Sequence, residues 1–126
     1  MARDVHTGSG MSVTIQRRRL ENVEVIHVSG RLVLGEGASL LREAIHAAVK
    51  TKADVLLNLS WVTYIDSAGL GEIIAGYSAV TAIAREMKLL RPAERVDSLL
   101  HITKLYSTFE VFEDEETALD SFPKRE

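Results

Sequence analysis

Residues 56–74, LLNLSWVTYIDSAGLGEII, contain the transition that decides the fold. The run 54–60, DVLLNLS, is almost continuously apolar, as in a strand covered on both faces of a parallel sheet. Asp66 and Ser67 end the apolar run, two glycines follow at Gly69 and Gly71, and the period then changes. Leu70, Ile73, Ile74, Tyr77, Val80 and Ala84 recur at three- and four-residue spacing, the signature of one helical face. A buried strand that turns directly into a helix is half of a βα unit, so the chain reads as an α/β protein.

The flanking sequence extends this pattern. SVTIQ (12–16) and VEVIHVSG (23–30) are extended runs joined by a polar connection at residues 19–22, which predicts an antiparallel hairpin. Gly35 and Gly37 interrupt the chain, after which Leu40, Leu41, Ala44, Ile45, Ala48 and Val49 trace a helical stripe. MKLLRP (87–92) is a short strand closed by Pro92, a third helix is expected from about Ala93 to Ile102, TFEVF (108–112) is a last strand, and a short helix starts near Asp114. The expected order is ββαβαβαβα, a single domain with a mixed, mostly parallel sheet and flanking helices. The polar segment 1–10 precedes Met11 and reads as a flexible N-terminal tail or an expression remnant, leaving 11–126 as the domain.

A chain of 126 residues buries roughly two-thirds of its unfolded surface around one core. Its net charge of -3, with both signs interspersed, offers no broad positive surface for nucleic acid. The absence of cysteine excludes disulfides, thiolate nucleophiles and cysteine metal sites, and fits a cytoplasmic protein. No apolar run approaches the roughly 18 residues of a membrane span. Gly69 and Gly71 lack the third glycine of a dinucleotide fingerprint, where Ile74 stands, and the phosphate-loop spacing from Gly71 fails at Tyr77, which occupies the lysine position. His6, His27, His46 and His101 have no metal-ligand spacing, so neither metal nor cofactor is expected.

The corner at Asp66-Ser67 carries the chemistry. Asp66 can cap the helix with its carboxylate, which leaves Ser67 near the first helical position with its hydroxyl toward solvent. Ser67 as a hydrolytic nucleophile is an alternative reading, but Ile65 stands where the glycine two residues before such a nucleophile usually lies. A phosphate on Ser67 would add about -1.5 to -2 charges, favoured by the helix terminus and opposed by Asp66.

The strand, Asp-Ser-Ala-Gly-Leu-Gly and helix in this order resemble the central motif of STAS domains, in particular the bacterial anti-sigma factor antagonists. The likeness runs from about Val13 to Phe122 and includes VSGRL (28–32) and LLRPAERVDSLLHITKLYSTFEVFEDEETAL (89–119). The resemblance implies a non-enzymatic module that binds an anti-sigma factor acting as a serine kinase, thereby releasing a sigma factor. The kinase would phosphorylate Ser67 and break the complex, and a phosphatase would reset it; ATP and magnesium belong to the kinase. The expected partner surface comprises Gly35, Glu36, Asp66, Ser67, Ala68, Gly69, Leu70 and Glu72. One departure stands out: many antagonists carry an aspartate immediately after Gly-x-Leu, where this chain has Val33, and Glu36 is the nearest acid in the same loop. The alternative within the family is a regulatory or scaffold subunit of a larger assembly, such as a stress-signalling complex or a lipid-transport ATPase.

Overall fold

The computed structural model describes residues 3–7 and 13–125, with side chains placed over 13–125. Strands β1 (Arg3–Thr7), β2 (Val13–Leu20), β3 (Val23–Leu32), β4 (Asp54–Ile65), β5 (Met87–Leu90) and β6 (Val111–Phe112) form one sheet in sequential order. The first three pair antiparallel and the remaining neighbours pair parallel. Helices α1 (Glu36–Lys50), α2 (Ser67–Ala82), α3 (Glu94–Ile102) and α4 (Glu115–Asp120) connect or follow the parallel strands. From β2 onward the order is the expected ββαβαβαβα.

The N-terminal expectation needs a correction. Arg3–Thr7 adds a strand along the outer edge of β2, with Val5 opposite Gln16 and Thr7 opposite Thr14. Five residues of mixed polarity carry little strand signal of their own, but the open edge of β2 presents backbone groups that such a segment can pair with. The rest of 1–10 lies outside the described residues.

Alternation along the central strands assigns the helices to faces. Val55, Leu57 and Leu59 join Leu41 and Ile45 of α1, Ile73 and Val80 of α2, and Val96 and Leu100 of α3 in the main core. Leu56 points the other way, into a smaller cluster with Val23, Val25, Leu90, Ala118 of α4 and Phe122. The strand is therefore apolar on both sides because both sides are covered at its N-terminal half.

Two buried charged groups hold the C-terminal segment to this second face. Lys88 Nζ donates to the Ser121 hydroxyl at 2.9 Å and carbonyl at 3.1 Å, and lies 4.8 Å from the Phe122 ring centre. The fully buried Asp54 carboxylate receives Arg125 through Nε at 2.7 Å and Nη2 at 2.8 Å, and Oδ1 also accepts from Glu86 N at 2.8 Å. Removing one partner of such a pair leaves a carboxylate away from water. Arg125→Ala is expected to lower stability by about 2 kcal/mol, below the range for fully enclosed pairs because Arg125 itself keeps some contact with solvent. Urea denaturation at neutral pH measures it.

Candidate functional site

The site forms where β3 and β4 end and α2 begins. Asp66, in extended conformation, is the N-cap: Oδ1 accepts from Gly69 N at 2.9 Å. Its other oxygen, Oδ2, accepts from Leu34 N at 3.0 Å in the loop between β3 and α1. The same carboxylate thus satisfies a free N–H of the first helical turn and ties down a loop 32 residues earlier. The two backbone donors, Leu34 first and Gly69 second, hold the Asp66 carboxyl below the ordinary carboxylate range.

Glycines permit the close approach. A Cβ on Gly69 would overlap the Leu32 carbonyl oxygen, which is backbone and cannot swing away. Gly35 precedes α1 with φ of +101°, a conformation that side chains other than hydrogen strain to adopt. Gly69 and Leu70, expected within the partner surface, are both buried and shape the corner from beneath.

What the corner offers outward is different. Ser67, the first residue of α2, is exposed, and Gly71, Ile74, Ala75 and Ser78 continue its face along the helix. Ile74 was expected within the buried stripe but is 38% exposed, and Leu34 in the adjoining loop is 77% exposed. Sequence periodicity missed this because α2 is apolar almost all round, so hydrophobicity alone does not reveal which side meets the core. Gly71 opens outward, with no protein atom near the position a Cβ would take.

Charge is nearly absent from α2. Its one ionised side chain, Glu72, accepts from Arg42 of α1 through Nη2 at 2.7 Å and Nε at 3.2 Å. Glu72 therefore braces the two helices rather than standing alone at the surface. Glu36 is exposed at the first position of α1, beside the loop that Asp66 holds, while Val33 is half-buried and its carbonyl accepts from Ala38 N. Among the described residues no histidine bonds to Ser67, His27 instead lying 2.9 Å from the Asn58 amide, and no cluster of metal-binding side chains occurs. Nor is any helix among them long and apolar enough to cross a membrane.

The sequence pattern of the STAS domain matches residues 14–118. The chain belongs to the STAS domain family. It is 27% identical over 101 residues to the anti-sigma-B factor antagonist of Bacillus subtilis, covering 80% of this chain and 92% of that protein. An anti-sigma factor antagonist from Mycobacterium paratuberculosis shares the fold with a TM-score of 0.76 at 24% identity, covering 93% of this chain and 98% of that one. SpoIIAA, an anti-sigma factor antagonist, in its unphosphorylated form superposes with a TM-score of 0.72 at 23% identity over 84% of this chain and 93% of that chain. Its phosphorylated form, from Bacillus, gives 0.69 at 22% identity over 84% and 96%.

Two outcomes test how this STAS corner is held together. Asp66→Ala removes the cap and the tie to Leu34, with an expected loss of about 1 to 2 kcal/mol at neutral pH. Because the folded carboxyl is depressed, its contribution is fully present above the unfolded value of about 4 and disappears as pH falls through the lower folded value. The difference between wild type and variant in urea denaturation should therefore shrink in acid below about pH 4. Gly69→Ala, which forces a methyl group into the Leu32 carbonyl, is expected to cost about 1 to 3 kcal/mol in the same assay.

Proposed function

We propose that this STAS protein is an anti-sigma factor antagonist: it binds an anti-sigma factor that is also a serine kinase, and phosphorylation of Ser67 ends the interaction. The observation that carries the reading is the placement of an exposed serine at the first turn of a helix whose outward face is apolar and uncharged. Such faces are normally buried, and an exposed one favours a protein partner. The names of the relatives, and the existence of a phosphorylated form of one of them, support the same reading.

Leu34, Ser67, Gly71, Ile74 and Ala75 form the contact, with Gly35 and Glu36 at its margin and Ala68 half-buried behind it. Gly71 allows a partner backbone to come close, at a helix-propensity cost of about 1 kcal/mol relative to alanine. A phosphate on Ser67 places about -1.5 to -2 charges within this apolar contact. The helix N-terminus offsets part of that charge within the free protein, by about 0.3 to 1 kcal/mol, so the fold is retained and the complex is lost. The protein itself performs no chemistry; the kinase brings ATP and magnesium, and a phosphatase restores the hydroxyl. Glu36 takes the part of the acid that the family pattern places at Val33, a role that unchanged phosphorylation and binding in Glu36→Gln would remove.

Incubation with ATP, magnesium and anti-sigma kinases encoded near this gene, followed by intact-mass spectrometry, is the direct test. One added phosphate is expected in wild type and none in Ser67→Ala, which should still bind the kinase. Ser67→Asp is expected to weaken binding at least about tenfold while the melting temperature stays nearly constant, since one unfavourable buried charge exceeds the roughly 1.4 kcal/mol that a factor of ten represents. Equal affinity of Ser67→Asp and wild type, together with no phosphate transfer from a kinase that binds, would sink the reading.

A further inference from the structure

The pairing of β3 with β4 slips twice. His27 stands opposite Asn58 and Ser29 opposite Trp61; Gly30 then stands opposite Val62 and Arg31 opposite Tyr64. At each slip β4 gains one residue over β3, which is a β-bulge, and the extra residue returns the next side chain to the same side. Asn58, Trp61 and Tyr64 consequently share one face with His27, Ser29 and Arg31. It is the face that α4 covers, but the α4 cluster takes in Val23, Val25, Leu56 and Leu90, with Leu20 and Phe112 packed against it, and includes no residue of β4 beyond Leu56. Above Asn58 that cluster does not extend: Trp61 is 70% exposed, and Tyr64, 38% exposed, borders a recess with Arg95 and Ser98 of α3.

This end of the face is basic as well as aromatic. The guanidinium carbons of Arg31 and Arg95 lie 4.9 and 5.2 Å from the centre of the Tyr64 ring, so two like charges converge on one half-exposed ring. Among the described residues neither arginine is paired with a carboxylate, and Glu94, which lines the adjoining recess with Arg95, does not balance both. Arg17, Arg18 and Arg19, by contrast, each have a glutamate partner. The covered half of the face carries the opposite sign: Glu113, Asp114, Glu116 and Asp120, on and beside α4, are all exposed. The α4 end of this face is thus mainly acidic, with Arg91 acting on Asp114, and the end at Trp61 and Tyr64 is basic and aromatic, Arg95 reaching in from α3.

We propose that two copies of the chain pair through this face about a two-fold axis, the acidic ridge at Glu113–Asp120 of each copy seated on Trp61, Tyr64, Arg31 and Arg95 of the other. A two-fold contact uses the same patch twice, and this patch carries both signs of charge, as a self-complementary contact requires. Single-stranded nucleic acid would also stack on Trp61 and Tyr64, but two arginines beside an acidic ridge, on a chain of net charge -3, do not make the basic groove that a phosphate backbone requires. Trp61 and α4 lie on the side of the sheet away from α1 and α2, and Ser67 takes no part in the contact, so the pairing does not rest on the proposed switch.

Trp61 is the only tryptophan, so its emission reports on this surface alone. Sedimentation of the unmodified protein over a concentration series should show a monomer–dimer equilibrium that weakens with salt, with Trp61 emission shifting to the blue as dimer forms. Arg31→Glu with Arg95→Glu is expected to weaken association at least about tenfold, and Glu113→Lys with Glu116→Lys to do the same. Combining all four reversals in one chain should restore the dimer, a rescue that general destabilisation does not produce. Trp61→Ser should also weaken it, with the melting temperature unchanged. The proposal is overturned by a protein that stays monomeric at the highest attainable concentration, by a dimer indifferent to both pairs of reversals, or by a monomer whose Trp61 emission shifts only on addition of a single-stranded oligonucleotide.

Discussion

The Asp66 carboxylate accepts from Gly69 N with one oxygen and from Leu34 N with the other, and the geometry of the whole corner follows from those two bonds. The first starts α2 at Ser67; the second draws the loop after β3 against the helix terminus. Because both donors are backbone groups, the arrangement depends on no flexible side chain other than aspartate itself. Gly69 makes it possible, since any larger residue would push the helix away from the Leu32 carbonyl that it overlies. Asp66 and Gly69 are accordingly constraints on the position of Ser67.

The helix that begins there trades local economy for surface. Its inner side, with Leu70, Ile73 and Val80, packs on the sheet as any α/β helix does. Its outer side would ordinarily be charged, yet it presents Ser67, Gly71, Ile74 and Ala75, and the one ionised residue, Glu72, is drawn aside by Arg42 of α1. A surface without charge is one on which a single new phosphate has a large relative effect on association. The same phosphate on a mixed-charge surface would be a small perturbation among many.

The sheet separates two surfaces of different character. On the side of α1 and α2 lies the uncharged outer face of α2; on the side of α4, bulges in β4 align Trp61 with Tyr64 and bring Tyr64 beside Arg31. A regular strand would have placed these aromatic residues on opposite faces, three positions apart, and one of them in the core. The bulges thus convert a continuous strand into one that is buried on both sides below Asn58 and on one side above it.

Much of this fold was legible in local sequence, because periodicity and capping act over a few residues. The apolar run 54–60, the helical stripe after Ser67, the cap at Asp66 and the order of elements from β2 onward depend on spacing and side-chain chemistry within single segments. Tertiary structure alone decided that Gly69 and Leu70 lie beneath the surface while Ile74 lies upon it, since a helix apolar all round does not declare its inner side. It also decided the reach of Asp66 to Leu34, the Arg42–Glu72 brace, the strand at Arg3–Thr7 and the meeting of Arg31 and Arg95 at Tyr64. Each of these joins segments that are distant or weakly patterned in the chain, so it is set by strand register and helix packing, which exist only once the sheet has formed.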